Sequence, residues 1–352
     1  MKSGDAPVEA RQKHSRTPHW LRRYLALCTA GLVLSLAISA IAATNAAVDG
    51  REPLAPLRPP PQLDERAVAL GKRLFSDNIL SADQNQSCMT CHDLASGGTQ
   101  HTARPTGQHG QAYRFNAPTV FNVGSIYRLG WRGDFTSLES QNEKILLDED
   151  LMGVTWPVIV DRLSQNQSYT EAFEEVYGHQ PDKRAILDAL STFQRSLVTP
   201  NSAFDRFISG DSGALSGLEV EGYRLFKDYG CASCHQGANV GGNMFQRFGI
   251  FTSPPQGSSS GDGDLGRFTL THNPADKGVF RVPSLRNVEL TGPYFHDGRV
   301  TDLSEAIAIM GVSQLGRKLT SDEIKALLAF LKTLTGEYNG SKLQALSSAK
   351  HY

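Results

Sequence analysis

The sequence predicts a mainly α fold built from two tandem units, and three observations predict it. The pattern C-x-x-C-H occurs twice, at Cys88-Met89-Thr90-Cys91-His92 and at Cys231-Ala232-Ser233-Cys234-His235. Short segments around the two copies echo each other. Apolar residues elsewhere recur at helical spacing, while no long alternating strand pattern occurs.

Each C-x-x-C-H reads as a covalent attachment site for haem c. Two thiols separated by two residues sit on one turn, where each can form a thioether to a haem vinyl group, and the adjacent histidine supplies an imidazole to iron. A zinc or redox C-x-x-C site is the competing reading, but zinc needs further ligands at suitable spacing and a thioredoxin-like site needs a βαβ context. Cys88, Cys91 and His92 would hold one haem, and Cys231, Cys234 and His235 the other. The fifth cysteine, Cys28, lies in an N-terminal apolar segment, so no disulfide framework is expected.

Residues 1–47 resemble a secretory signal peptide: Arg22 and Arg23 precede an apolar run from Leu25 to Ala43, followed by Thr44-Asn45-Ala46-Ala47. Left uncleaved, the same run is about long enough to anchor the chain in the inner membrane. Either way the destination is outside the cytoplasm. Residues 1–43 hold six Lys or Arg and two Asp or Glu, so removing their +4 from the chain's −1 leaves about −5. That balance reads as ordinary solubility charge and gives no sign of nucleic-acid binding.

About 300 residues remain, enough for two domains. A proline-dense linker at 48–62 leads to an N-terminal domain at 63–205, a C-terminal domain at 206–340 and a tail at 341–352. Gly71-Lys72-Arg73-Leu74-Phe75 precedes the first haem motif and Gly222-Tyr223-Arg224-Leu225-Phe226 the second. With Ala67 and Leu70, the first of these forms an amphipathic helix leading into the haem site, as a small cytochrome c-like domain begins. A second echo pairs Pro118-Thr119-Val120-Phe121-Asn122 with Pro283-Ser284-Leu285-Arg286-Asn287, at an offset of 165 residues. The same offset carries Trp131 onto His296 and Leu138 onto Leu303, so one unit was used twice. Further helices are expected where Ile186, Leu187, Leu190, Phe193 and Leu197 precede Pro200, and where Ile324, Leu327, Leu328, Leu331 and Leu334 follow a Thr320-x-x-Glu323 capping box. Ser253 to Gly266, rich in Gly and Ser, reads as a surface loop.

What each haem does depends on its sixth ligand. Met152, Met244 and Met310 are the candidate axial methionines, and Met310 is the one placed on an expected helix after the second haem motif, beginning at Leu303. The offset places Ile145 at the matching position in the first half, so the first iron should lack a methionine. It is then open to a small substrate, or closed in one redox state by a histidine such as His109 or His101.

The residues resemble the bacterial di-haem cytochrome c peroxidases and their MauG-like relatives across about Leu63 to Gly336. Val279-Phe280-Arg281-Val282-Pro283-Ser284-Leu285-Arg286-Asn287, Thr291-Gly292-Pro293-Tyr294-Phe295-His296-Asp297-Gly298 and Phe115-Asn116-Ala117-Pro118-Thr119-Val120-Phe121-Asn122 carry the resemblance. It implies a peroxidatic N-terminal haem and an electron-receiving His/Met C-terminal haem, with Met310 as the methionine where MauG-like proteins have tyrosine. It further implies His109 as the histidine that blocks the first haem until reduction, Trp131 as the tryptophan between haems and Gln141 as the distal glutamine. Asn116, Thr291 and Pro293 match the residues that hold one calcium ion. The implied reaction is reduction of hydrogen peroxide with electrons from a small cytochrome c or cupredoxin, in a protein compatible with a homodimer. A MauG-like oxidase acting on a partner protein and a non-enzymatic electron carrier are the rival readings. Two departures stand out. Asp148-Glu149-Asp150-Leu151-Met152-Gly153 puts Leu151 where the family has its distal glutamate, and Trp131-Arg132-Gly133-Asp134 exchanges acid and base within the family's Trp-Asp-Gly-Arg. Glu149 or Asp150 could take over the proton transfer if the loop shifts by a residue.

Overall fold

The computed structural model describes residues 1, 52–253 and 262–344. The reading of 1–47 as signal or anchor therefore lies outside the described residues apart from Met1, as does the tail from 345 onward. The described residues from Pro53 onward form one compact unit. The described part is mainly α, with strands confined to two short pairs.

In the first half, α1 (Glu65–Ser76) begins at Asp64, whose carboxylate accepts from the Arg66 amide, and buries Ala67, Leu70, Leu74 and Phe75 on one face. That face packs on α6 (Lys183–Ser196), itself capped by Asp182 and buried through Ile186, Leu190 and Phe193. Between them run α2 (Cys88–Cys91), α3 (Leu138–Leu147), α4 (Trp156–Ser164) and α5 (Gln167–Tyr177). The second half repeats the plan: α7 (Ala203–Ile208), α8 (Gly217–Asp228), α9 (Phe268–Thr271), α10 (Leu303–Leu315) and α11 (Ser321–Lys332). Here α8 packs on α11, and Phe204, Tyr223, Phe226, Leu327 and Phe330 form the core. The expected capping box is present, with the Thr320 amide donating to Glu323 at 2.8 Å and the Glu323 amide to the Thr320 hydroxyl at 3.3 Å. β1 (Phe245–Arg247) pairs antiparallel with β2 (Val279–Arg281), and β3 (Glu337–Tyr338) with β4 (Ser341–Lys342).

The sequence echoes have structural causes. A Cβ on Gly71 would lie 2.0 Å from the Ala189 carbonyl oxygen, and one on Gly222 would lie 1.9 Å from that of Ala326. Each glycine lets the helix before a haem motif cross closely over its partner, α6 or α11. Replacing Gly222 by valine should therefore destabilise the fold by about 1–3 kcal/mol or more, because the clash is with backbone and cannot relax by a side-chain rotation. Urea unfolding of the variant checks this. Asn122 and Asn287, ends of the second echo, both adopt left-handed backbone, with φ of 62° and 59°. Both side-chain amides donate to the Thr199 hydroxyl, at 2.9 and 3.0 Å, so the two copies meet at one buried threonine. The turn at Leu129 and Phe135 is likewise repeated, 165 residues on, by the bridge between Tyr294 and Val300.

Part of the proline-rich segment is anchored. Leu54 and Leu57 are buried, the Gly237 amide donates to the Pro53 carbonyl at 2.8 Å, and the Leu57 amide donates to Asp205 at 3.0 Å. Arg286, fully buried, pairs with Asp205 at 2.9 Å and reaches the Ala55 carbonyl at 3.0 Å. This ties residues 53–57 to the second core. Of the Gly/Ser-rich stretch, 254–261 lie outside the described residues and Asp262–Leu265 forms a 3-10 turn.

Candidate active site

Each C-x-x-C-H folds on a single turn. Ser87 caps α2 together with Thr90, whose hydroxyl accepts from the Ser87 amide at 3.0 Å, and the His92 amide donates to the Cys88 carbonyl at 2.9 Å. In the second copy the His235 amide donates to the Cys231 carbonyl, also at 2.9 Å. The rings are held by equivalent aromatics: Phe75 lies 6.5 Å from the His92 ring and Phe226 6.5 Å from that of His235. Burial holds both imidazoles neutral, with pKa values pulled down to about 4. Burial also pushes Cys88 up to about 12 and Cys231 up to about 11. Neutral imidazole is the form that ligates a metal, and no disulfide consumes the four thiols.

A cavity of about 410 Å³ lies against the second motif. Cys231, Cys234 and His235 line it, as does Met310 from α10. The His235 Nδ1 faces the Val240 and Pro283 carbonyls without hydrogen-bond geometry, a buried polar atom left unsatisfied. An apolar chamber bearing two thiols, a neutral imidazole and a thioether fits a covalently bound haem with His/Met ligation. The matching helix in the first half, α3, presents Ile145, which packs against the first core. Met152 is 5% exposed within that same core.

The same cavity gathers residues from both halves. Asn116, Trp131, Thr291 and Pro293 all line it. The Trp131 indole donates to the Asn116 carbonyl at 2.9 Å, and the Asn116 amide donates to the His296 carbonyl at 2.8 Å. Trp131 meets His296, its counterpart by the 165-residue offset, edge to face at 6.4 Å. His296 is boxed by Phe280, stacked at 4.1 Å, and by Phe115 and Phe248 edge-on. Its Nε2 contacts Asp264 at 3.0 Å, and Asp264 and Asp297 share Arg299, so the acids of this cluster already face a cation. The exchanged pair of the Trp131-Arg132-Gly133-Asp134 turn remains an ion pair, Arg132 with Asp134, both side chains mostly buried.

Cys88, Cys91, His92, Gln141 and His109 lie away from that cavity. Gln141 is half-buried on α3, beside Asn142, which donates to Gln194 of α6 at 2.7 Å. His109 is exposed at the tip of a turn closed by the Gly107 amide on the Gln111 carbonyl at 2.8 Å. That turn packs on the acidic loop, since a Cβ on Gly107 would lie 2.0 Å from the Asp150 carbonyl oxygen. His101, the other candidate histidine, hydrogen-bonds Ser96 and meets the Gly292 carbonyl at 2.8 Å. Within the loop, Glu149 and Asp150 are exposed, whereas Asp148 is 7% exposed and accepts from the Asp150 amide at 3.1 Å. The burial of Asp148 and Arg281 is not legible in the sequence, because an isolated charged residue carries no signal of burial.

The comparisons fit this geometry. Residues 65–213 match the family described as di-haem cytochrome c peroxidase, and 219–335 match cytochrome c. The cytochrome c551 peroxidase of Nitrosomonas europaea is 38% identical over 89% of this chain and 93% of that protein. That of Pseudomonas aeruginosa is 36% identical over 78% of this chain and 80% of its own length. The methylamine utilization protein MauG of Methylorubrum extorquens is 30% identical over 78% of this chain and 80% of that protein. Among solved structures, a MauG-like protein associated with microbial copper homeostasis superposes with a TM-score of 0.72 at 29% identity, covering 80% of this chain and 94% of that one. Two haem-attachment turns on a duplicated helical scaffold, and relatives that share nearly the full length, lead to one assignment: the chain belongs to the di-haem cytochrome c peroxidase family.

Proposed function

We propose that the protein reduces hydrogen peroxide to water in the periplasm, using electrons from a small cytochrome c or cupredoxin. The observation that carries this reading is the divergence of two equivalent helices: α10 brings Met310 to the cavity of His235, while α3 has Ile145 at the matching place. His235 and Met310 would then both hold one haem, whereas His92 has no methionine to match it at the other. Haem bound at the two motifs supplies redox-active iron, whose potential and reactivity follow the axial ligand and the pocket around it.

The chain's own residues divide the work. His235 and Met310 hold the electron-receiving site, and Trp131, buried between the halves, lies along the way to the other. His92 is kept neutral for ligation by burial, and Gln141 is the side chain assigned to hydrogen-bond peroxide. His109, exposed on a turn that rests on the acidic loop, is the residue assigned to block the first site until reduction moves that turn. Asn116, Thr291 and Pro293 would bind calcium through neutral oxygen donors, which suits a hard cation. One peroxide, two electrons and two protons give two waters, so the first site must also pass protons. Residues 22–47 support export, with cleavage or anchoring both compatible, and among the described residues no helix is long and apolar enough to cross a membrane. Met310 disfavours a MauG-like oxidase, which by resemblance has tyrosine there.

The test uses the holoprotein, reductively activated with calcium present and mixed with a reduced small cytochrome c. Peroxide-dependent oxidation of the donor is expected. Absence of that oxidation, with both haems loaded, rejects the reading.

A further inference from the structure

Arg281 on β2 is 5% exposed and lines the cavity that holds His235 and Met310. Its Nε donates to the Gly130 carbonyl at 2.9 Å, while one terminal nitrogen, Nη1, is buried with no partner. Among the described residues no carboxylate pairs with it. Arg286, five positions on, shows the contrast: equally buried, it meets Asp205 at 2.9 Å and donates to the Ala238 carbonyl at 2.7 Å and the Ala55 carbonyl at 3.0 Å. For Arg281, burial alone pulls the pKa down, to about 10, and no neighbouring acid opposes it.

An unpaired buried cation costs several kcal/mol, so a protein that keeps one inside has a counter-charge to place there. The guanidinium fork matches the geometry of a carboxylate, the anionic group that haem carries. We infer that Arg281 binds a propionate carboxylate of the haem held by Cys231, Cys234 and His235. Haem brings carboxylates into an otherwise apolar chamber, and each of the two buried charges relieves the cost of the other. The Arg281 amide also donates to the Trp131 carbonyl at 2.8 Å. Cofactor carboxylate, Arg281 and the Gly130-Trp131 turn are thus one connected unit spanning both halves, and Arg281 acts as a positioning residue for Trp131. The inference rests on haem occupying that cavity and not on peroxide turnover.

The test compares holoproteins of the parent, R281Q and R281K after absorbance of the pyridine haemochrome has verified two haems per chain. Both potentials are followed spectroelectrochemically between about pH 5 and pH 8, the range in which a buried propionate titrates. Removing a positive charge beside iron makes reduction harder. R281Q should shift the reduction equilibrium of the methionine-ligated haem about tenfold toward oxidised, roughly 59 mV. That potential should also become pH-dependent, falling as pH rises and the unpaired propionate loses its proton. R281K keeps the charge and should keep most of the potential, while the other haem moves less. Parent-like potentials and pH slopes in R281Q would leave Arg281 as a tether of the Gly130 turn and overturn the inference. Should R281Q not assemble, resonance Raman spectroscopy of R281K decides: the propionate bending band shifts when the fork is lost, and a band unchanged from the parent overturns the inference equally.

Discussion

Exchanging Met310 for leucine lowers the potential of one haem and leaves the other in place. A thioether ligand favours the reduced iron, and axial ligands together span roughly 0.8 V, so loss of this one should cost on the order of 0.2 V. At 59 mV per decade for one electron, that is a shift of about 10³-fold in the reduction equilibrium. Met310 sits on α10 and lines the cavity, and leucine matches its volume closely, so the fold should survive the change. Redox titration with optical detection separates the two haems. The haem at His92 should keep its potential, because α3 contributes Ile145 and no thioether to lose. Donor oxidation should collapse with the high-potential site, since a small redox protein can no longer reduce it. A variant in which both potentials hold would place the sixth ligand elsewhere and remove the asymmetry on which the proposed function rests.

That asymmetry was visible in the sequence because it is written in local patterns. Two C-x-x-C-H turns, a glycine before each and an offset of 165 residues are short-range features, and the structure reproduces them in paired turns, paired left-handed asparagines and paired helix crossings. Boundaries were legible where caps exist, as at Thr320 and Glu323. What could not be read depends on contacts between distant segments. Arg281 lies inside a strongly patterned stretch, yet arginine is ordinarily exposed, and its burial arises only when β2 packs against the Gly130-Trp131 turn. Residues 53–57 look like linker, since proline removes helix and strand alike, and their anchoring comes from Asp205 and Arg286 far along the chain. The ordering of three adjacent acids into one buried and two exposed follows from a loop conformation that composition does not encode.

Converting Leu151 to glutamate should raise peroxide turnover. Cleaving the O–O bond requires a proton moved from the inner to the outer oxygen, and a positioned acid-base group is worth typically ~10²–10⁴ in rate. Each of the three acids before Leu151 is exposed or already engaged in the loop as it stands. Glu149 is exposed, Asp150 is exposed and engages Gln111 at 3.3 Å and Arg114 at 3.9 Å, and Asp148 is buried but committed to the Asp150 amide and to Lys144 at 3.5 Å. Leu151 is half-buried, its amide fixed to the Asp148 carbonyl at 2.9 Å and its neighbour Met152 seated in the core, so its direction is held by the backbone on both sides. A carboxylate there inherits that direction. L151E should therefore gain about 10²-fold or more in kcat/KM for peroxide, and the gain should grow as pH rises through its pKa, because the base form must take the first proton. D148N should cost only a few-fold under the same conditions, since the asparagine oxygen still accepts from the Asp150 amide and only the ion pair with Lys144 is lost. The opposite pattern, an inert L151E with a loss of about 10²-fold or more in D148N, would assign the proton transfer to Asp148 and show that this chain moved its acid three residues rather than giving it up.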